Sequence, residues 1–326
     1  MREPALIRML PDGRRLHLHD GPIDLIIEAD GPPQAISTAY EAAARRFVPI
    51  LDELCCELPL LRSPALKNSE RPRGLIARRM FAAVEPYCED CFITPMASVA
   101  GSVAEEILQS MVGAAPLDRA YVNNGGDIAL HLANNRIYKI GMVERPDCPS
   151  LFGSLTITAA DQVRGIATSG WRGRSFSLGI ADAVTVLADS APAADAAATV
   201  IASAVNLPDH PGIKRVPARE ISPDSDLGDL LVTRGVEQLA QFDIDAALEN
   251  GFRVATRLRG RGLIHSAALC LQKRVRVLPP SHALAANLGT DRFLKRVVCT
   301  LDGSSGPSAP EIPAELELIG RTNPHA

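Results

Sequence analysis

Asp118–Leu132, DRAYVNNGGDIALHL, is the stretch whose reading decides the fold. Ahead of it apolar residues recur at helical intervals; from Asp118 onward they alternate with a period of two. Ala120–Val122 and Ile128–Leu132 read as two strands, and Asn123-Asn124-Gly125-Gly126 between them suits a tight hairpin. An antiparallel pair joined by so short a turn needs no crossover helix. The chain therefore opens an antiparallel sheet here.

Working outward, Ile137–Val143 and Ser154–Thr158 continue as successive antiparallel strands, and Asp182–Leu187 (DAVTVL) is another. A helix of small residues is expected from about Pro192 to Val205, then a Pro- and Asp-rich loop over 206–228, a helix over Asp245–Leu258, and apolar segments at Leu263–Leu271 and Val275–Leu278. On the N-terminal side, Arg15–Leu18 and Ile23–Glu28 read as strands. Gly31-Pro32-Pro33 hands over to a long helix carrying Ala35, Ala42, Phe47, Ile50, Leu51, Leu54 and Leu58, which Pro49 should kink or divide. Helices follow over Leu75–Val84 and from Pro95 to about Val112, with Gly113 as the expected stop. The sum is a mixed α/β (α+β) pattern, an antiparallel sheet with packed helices. It is read as a single domain over 1–302, with a Ser/Pro/Gly-rich mobile tail over 303–326.

The 326 residues, 46% hydrophobic and 22% charged, suit a water-soluble protein with a sizeable core. A net charge of −4 leaves no footprint for nucleic acid, and the basic clusters Arg71–Arg79 and Arg253–Arg261 read as solvated faces. No run approaches the roughly 20 apolar residues that span a bilayer, so no membrane partner is expected. The opening MREPALIRML has no secretory pattern, and seven cysteines without framework spacing suit a reducing compartment, so a cytoplasmic location is expected. The apolar C-terminal segments could pair in a homodimer.

Chemistry concentrates in four blocks: Ser98–Glu105 (SVAGSVAE), Asn123–Asp127 (NNGGD), Gly165–Gly170 (GIATSG) and Ala194–Thr199 (ADAAAT). Paired glycines in the second let backbone take positive φ and a ligand approach closely. The third offers Thr168 and Ser169 hydroxyls in a glycine-flanked loop whose N–H groups could meet an anion. In the fourth, Asp195 and Thr199 lie four apart on one helix face, a carboxylate and a hydroxyl that Mg2+ would complete with waters and ligand phosphates. Taken singly, each block is better explained as an ordinary turn, a helix contact, or an acid complementing its own helix dipole.

Their order resembles the ApbE family, the FAD:protein FMN transferases, and the wording PMASVAG, NNGGD, GIATSG, SLGIADAVTVLA and ADAAAT resembles its UPF0280 (DUF375) branch, over about Pro22 to Leu278. The resemblance implies an ApbE-like fold binding FAD or a related flavin nucleotide with Mg2+. It implies cofactor binding by Asn124, Gly125, Gly126, Asp127, Thr168, Ser169 and Gly170, and metal binding by Asp195 and Thr199. The chain departs from the family twice. Where the transferases carry Lys-Gly-x-x-x-Asp, it reads Ala100-Gly101-Ser102-Val103-Ala104-Glu105; and Trp171–Leu178 follows the A-T-S-G block directly, with no His-Ile-x-Asp-Pro segment. Transfer of FMN to a protein needs a group to handle the acceptor's proton. That group is not visible, so the expectation becomes transferase-like, Mg2+-assisted phosphoryl or nucleotidyl chemistry on a small substrate. The alternative is a non-catalytic flavin-nucleotide-binding or carrier protein. Trp171 and Arg174 are candidates to stack on and pair with a ligand in place of the missing segment. Cys88-Glu89-Asp90-Cys91 is a C-x-x-C without a second pair, and His131 is read as a structural strand histidine.

Overall fold

Nine strands cross a single sheet in the order in which the chain makes them. The computed structural model describes residues 4–143, 151–280 and 317–318. The sheet runs β1 (Leu6–Met9), β2 (Leu16–Asp20), β3 (Ile23–Asp30), β4 (Arg119–Asn124), β5 (Asp127–Leu132), β8 (Gly165–Ser169), β9 (Ala183–Ala188), β12 (Ser266–Leu271) and β13 (Arg274–Leu278). Every pairing in it is antiparallel.

Three excursions leave this meander. Between β3 and β4 come α1 (Pro33–Phe47), α2 (Ile50–Cys56), α3 (Leu58–Leu61), α4 (Leu75–Val84) and α5 (Val99–Ala114). Pro49 divides the long helix as expected, because it has no N–H to donate and its ring blocks the preceding turn. Gly113 does not stop α5; it sits within the helix with open space around it. Between β5 and β8 the chain makes the hairpin β6 (Ile137–Val143) and β7 (Leu151–Thr158), which belongs to a separate sheet. Between β9 and β12 come α6 (Ala191–Ala204), β10 (Ile213–Pro217), α7 (Ala218–Ile221), β11 (Leu231–Val236) and α8 (Gln241–Gly260). The 206–228 stretch is thus no plain loop, since β10 pairs with β11 as a two-stranded ribbon. The expected tail over 303–326 lies outside the described residues, except that Glu317–Leu318 pair in parallel with Ile140–Gly141 of β6.

Strand alternation sorts the two sheet faces. Leu25, Ile27, Ala120, Val122 and Ala129 join the core beneath α1 and α5; Ala167, Val184, Val186 and Ala188 join the core beneath α6 and α8. Tyr121, Ile128, Leu130, Ile166 and Leu187 point the other way, onto Tyr138, Ile140 and Ile157 of the β6–β7 hairpin. Helix α6 is buried almost all round by alanines, which lets it press between the sheet and the neighbouring helices. Within the basic clusters Arg71 pairs with Glu85, Arg261 with Asp90, and Arg79 with buried Glu106, which also takes Arg46. Burial would raise the Glu106 carboxyl, but the two guanidiniums hold it below its ordinary value.

Candidate functional site

Hydrogen bonds tie the four blocks to one another at a single place, where the N-terminal turn of α5, the middle of α6 and the ends of β4, β5 and β8 meet. Asp195, on α6, accepts the Gly101 N–H at 2.9 Å through Oδ2. The Asn124 side-chain amide donates to the Ala100 carbonyl at 3.1 Å. The Thr168 N–H donates to Asp127 Oδ1 at 3.3 Å.

The contact between α5 and α6 is a mutual cap. Asp195 takes N–H groups in the first turn of α5, and Glu105 of α5 accepts the Ala191 N–H, the first of α6, at 3.3 Å. Free N–H groups at a helix start need an acceptor, and a carboxylate also suits the positive end of the dipole. Asp195 therefore complements a helix dipole, but that of α5 and not of its own helix. Gly101 makes this possible, because a Cβ there would come 2.4 Å from the Ala191 carbonyl oxygen. Glu105, which stands where the resembling transferases carry aspartate, thus has a structural task in this chain.

The Asp195 charge acts on Asp127. Asp127 opens β5 after a turn in which Gly125 and Gly126 take φ of +67° and +115°, and in which Asn123 Oδ1 holds the Gly126 N–H at 2.9 Å. The β5–β8 ladder stops at Ile128↔Ile166, and the inward-turned Asp127 carboxyl takes the next free N–H of β8. Burial, then the Asp195 charge, push Asp127 well above the ordinary carboxyl range; the Thr168 N–H opposes them. Burial pushes Asp195 up to about 7 against the N–H groups of Gly101 and Ala100. Two carboxyls so placed can share a proton or a cation.

The remaining expected residues are placed as follows. Gly165–Ser169 forms β8 and is not a loop. Alternation turns the Thr168 side chain to the face away from the helices, where its hydroxyl meets that of Thr185 at 3.0 Å, so Thr168 brings its backbone and not its hydroxyl to Asp127. Ser169, half-buried, faces the helix side. Gly170 is required by packing, since a Cβ would sit 2.3 Å from the Asp182 carbonyl oxygen. Thr199 is half-buried one turn beyond Asp195 on α6. A Mg2+ ion commonly takes one or two carboxylates and keeps its waters, so Asp195 and Asp127, with the Thr199 hydroxyl a turn away, fit that ion. Among the described residues no cluster of three or more His, Cys, Asp or Glu side chains could form an all-protein cage.

Two residues escaped the sequence reading. Thr185 interrupts an apolar strand, which was its only signal. Asp182, buried, accepts from Trp171 Nε1 at 3.2 Å, Arg172 Nε at 2.8 Å and the Gln272 N–H at 2.6 Å. The indole edge of Trp171 is thereby committed to the protein. His131 bonds the Leu117 carbonyl, as a structural histidine would. Cys91 has an exposed surface, yet packing around its sulfur and the Asp90 carboxylate push its thiol up, the reverse of an activated nucleophile. No helix among the described residues is long and apolar enough to cross a membrane.

A family model described as "AbpE bacteria" matches residues 7–277. The chain is 37% identical over 154 residues to a UPF0280 protein of Methanothermobacter thermautotrophicus, covering 45% of this chain and 57% of that one. It is 39% identical over 123 residues to a UPF0280 protein of Methanococcoides burtonii, covering 37% and 50%. It is 35% identical over 170 residues to one of Archaeoglobus fulgidus, covering 51% and 66%. The chain spans about half the length of the curated relatives it matches first. Among solved structures it is similar to an apbe protein of Thermotoga maritima at 12% identity and TM-score 0.43, covering 86% of this chain and 98% of that one. It is similar to the apo flavinyl transferase ApbE of Pseudomonas stutzeri at 11% and 0.39, covering 88% and 96%. At these scores neither likeness bears on this chain's chemistry.

Proposed function

The chain belongs to the AbpE bacteria family, and from that premise we propose that it binds a flavin nucleotide, FAD in the first instance, together with a divalent cation at the meeting of α5, α6 and the β4–β5 turn. The reading rests on one observation above all: hydrogen bonds gather half-buried Asp127 and buried Asp195 at the first turn of α5 and the end of β8, where burial and the Asp195 charge push the Asp127 carboxyl up. Folding normally avoids two such carboxyls unless something positive answers them. When bound, a divalent cation supplies neutralisation of a diphosphate. Asp195, Asp127 and the Thr199 hydroxyl would hold it. The Gly125–Gly126 turn has open space where a Cβ at Gly126 would stand, so backbone there can meet a ligand closely. Asn124 is committed to Ala100, so its part is to fix the turn against α5.

The chemistry that fits this set is metal-assisted phosphoryl or nucleotidyl transfer to a small acceptor. A second reading, nucleotide binding without turnover, is favoured by Ala100. It stands where the resembling transferases carry lysine, its carbonyl is held by Asn124, and its N–H lies on Asp195. Incubating the protein with FAD and Mg2+ and separating the products distinguishes the two. Release of FMN or AMP supports turnover; retention of intact FAD supports the second reading; neither product nor retained FAD in the presence of Mg2+ overturns both.

A further inference from the structure

The segment after β8 is pinned in a way that ordinary surface turns are not. The Trp171 N–H donates to the Ala181 carbonyl at 3.0 Å, and the Gly173 N–H to that of Gly170 at 3.1 Å. Trp171 and Arg172 both fasten to buried Asp182, with the Arg172 guanidinium over the indole at 4.4 Å. Asp182 in turn holds the Gln272 N–H of the β12–β13 turn. The strap reaches three turns at this end of the sheet: the β2–β3 turn at Pro22 and the Gly125–Gly126 turn through Arg174, and the β12–β13 turn through Asp182.

Arg174 leaves this strap exposed. Its Nη2 donates to the Pro22 carbonyl at 3.3 Å, and its Nη1 lies 4.0 Å from where a Cβ of Gly125 would be. Among the described residues no carboxylate pairs with it, although most arginines named above have one. A guanidinium fixed by one carbonyl over an open glycine turn still has donors to give. An anion at that turn would also stand close to Asp127 and Asp195, and so needs positive charge from the outer side as well as from any cation within.

We propose that Arg174 contacts the phosphate groups of the nucleotide at the Gly125–Gly126 turn, with the Asp182 anchor holding it in position. This rests on the nucleotide reading given above. The guanidinium fork matches phosphate oxygens, whereas the turn itself supplies backbone and no charge.

The test compares wild type, Arg174→Ala and Arg174→Lys by calorimetry in Mg2+, with FAD, FMN, riboflavin and inorganic pyrophosphate as probes. The expected result is a roughly tenfold or larger loss of affinity for FAD and FMN in Arg174→Ala, the size of a charge-assisted hydrogen bond. Riboflavin binding is unchanged, and Arg174→Lys recovers part of the loss. An unchanged FAD affinity in Arg174→Ala overturns the assignment, as does an equal loss for riboflavin. Should wild type bind pyrophosphate through Arg174 but none of the flavins, the flavin reading falls and the phosphate contact stands. Should it bind neither flavins nor pyrophosphate, both fall.

Discussion

Replacing Asp195 by asparagine should make the metal-free protein more stable at pH 8, with a smaller gain at pH 5. Asparagine keeps the shape and an oxygen to accept the Gly101 N–H, and it removes the buried charge. The Asp195 carboxyl is raised from 3.8 to about 7 in the folded chain, first by burial. A raised folded value means that the folded state holds the proton more tightly than the unfolded state. The stability this brings is complete below about pH 4 and is lost as pH rises toward 7. At about 1.4 kcal/mol per unit, wild type forfeits roughly 4 kcal/mol by pH 8 but only 1 to 2 at pH 5. The variant escapes this and gives up about 1 kcal/mol in weaker capping of α5. Its net advantage at pH 8 is then about 3 kcal/mol, shrinking toward zero near pH 5. Urea unfolding in EDTA at pH 5, 6.5 and 8 measures it. A variant no more stable than wild type at pH 8, or a gap that does not widen with pH, would refute the buried-charge reasoning.

Gly101→Ala should cost about 1–3 kcal/mol through forced separation of α5 and α6, because its Cβ would stand 2.4 Å from the Ala191 carbonyl oxygen; an unchanged thermal midpoint would contradict the close contact. Glu106→Gln should cost about 3 kcal/mol, since it leaves the Arg46 and Arg79 guanidiniums without their shared buried carboxylate. Denaturant unfolding reads that loss, and a change within error would show the triad to be dispensable.

How much of this was legible in the sequence depends on whether local pattern or distant contact decides. Leu75–Val84 is α4 to the residue, and Pro49 divides its helix, because periodicity and proline act locally. Gly165–Ser169 was misread as a loop because its glycines look like turn punctuation. Gly165 is there for a distant reason: a Cβ would meet the Ser190 backbone at 2.0 Å. Likewise the Pro-rich 206–228 stretch hides β10, whose partner β11 comes later in the chain. At the site, the residue types were readable but their partners were not. That Asp195 caps the neighbouring α5, that Asp127 ends the β5–β8 ladder, and that Thr168 turns its hydroxyl away are all consequences of register and packing between segments 17 to 94 residues apart.

The most direct measurement of the central claim is a calorimetric titration of FAD into wild type and Asp195→Asn, each with Mg2+ and with EDTA. The account predicts binding to wild type that requires Mg2+, and its loss in a variant that stays folded. Equal FAD binding by both proteins, or binding indifferent to Mg2+, would contradict it.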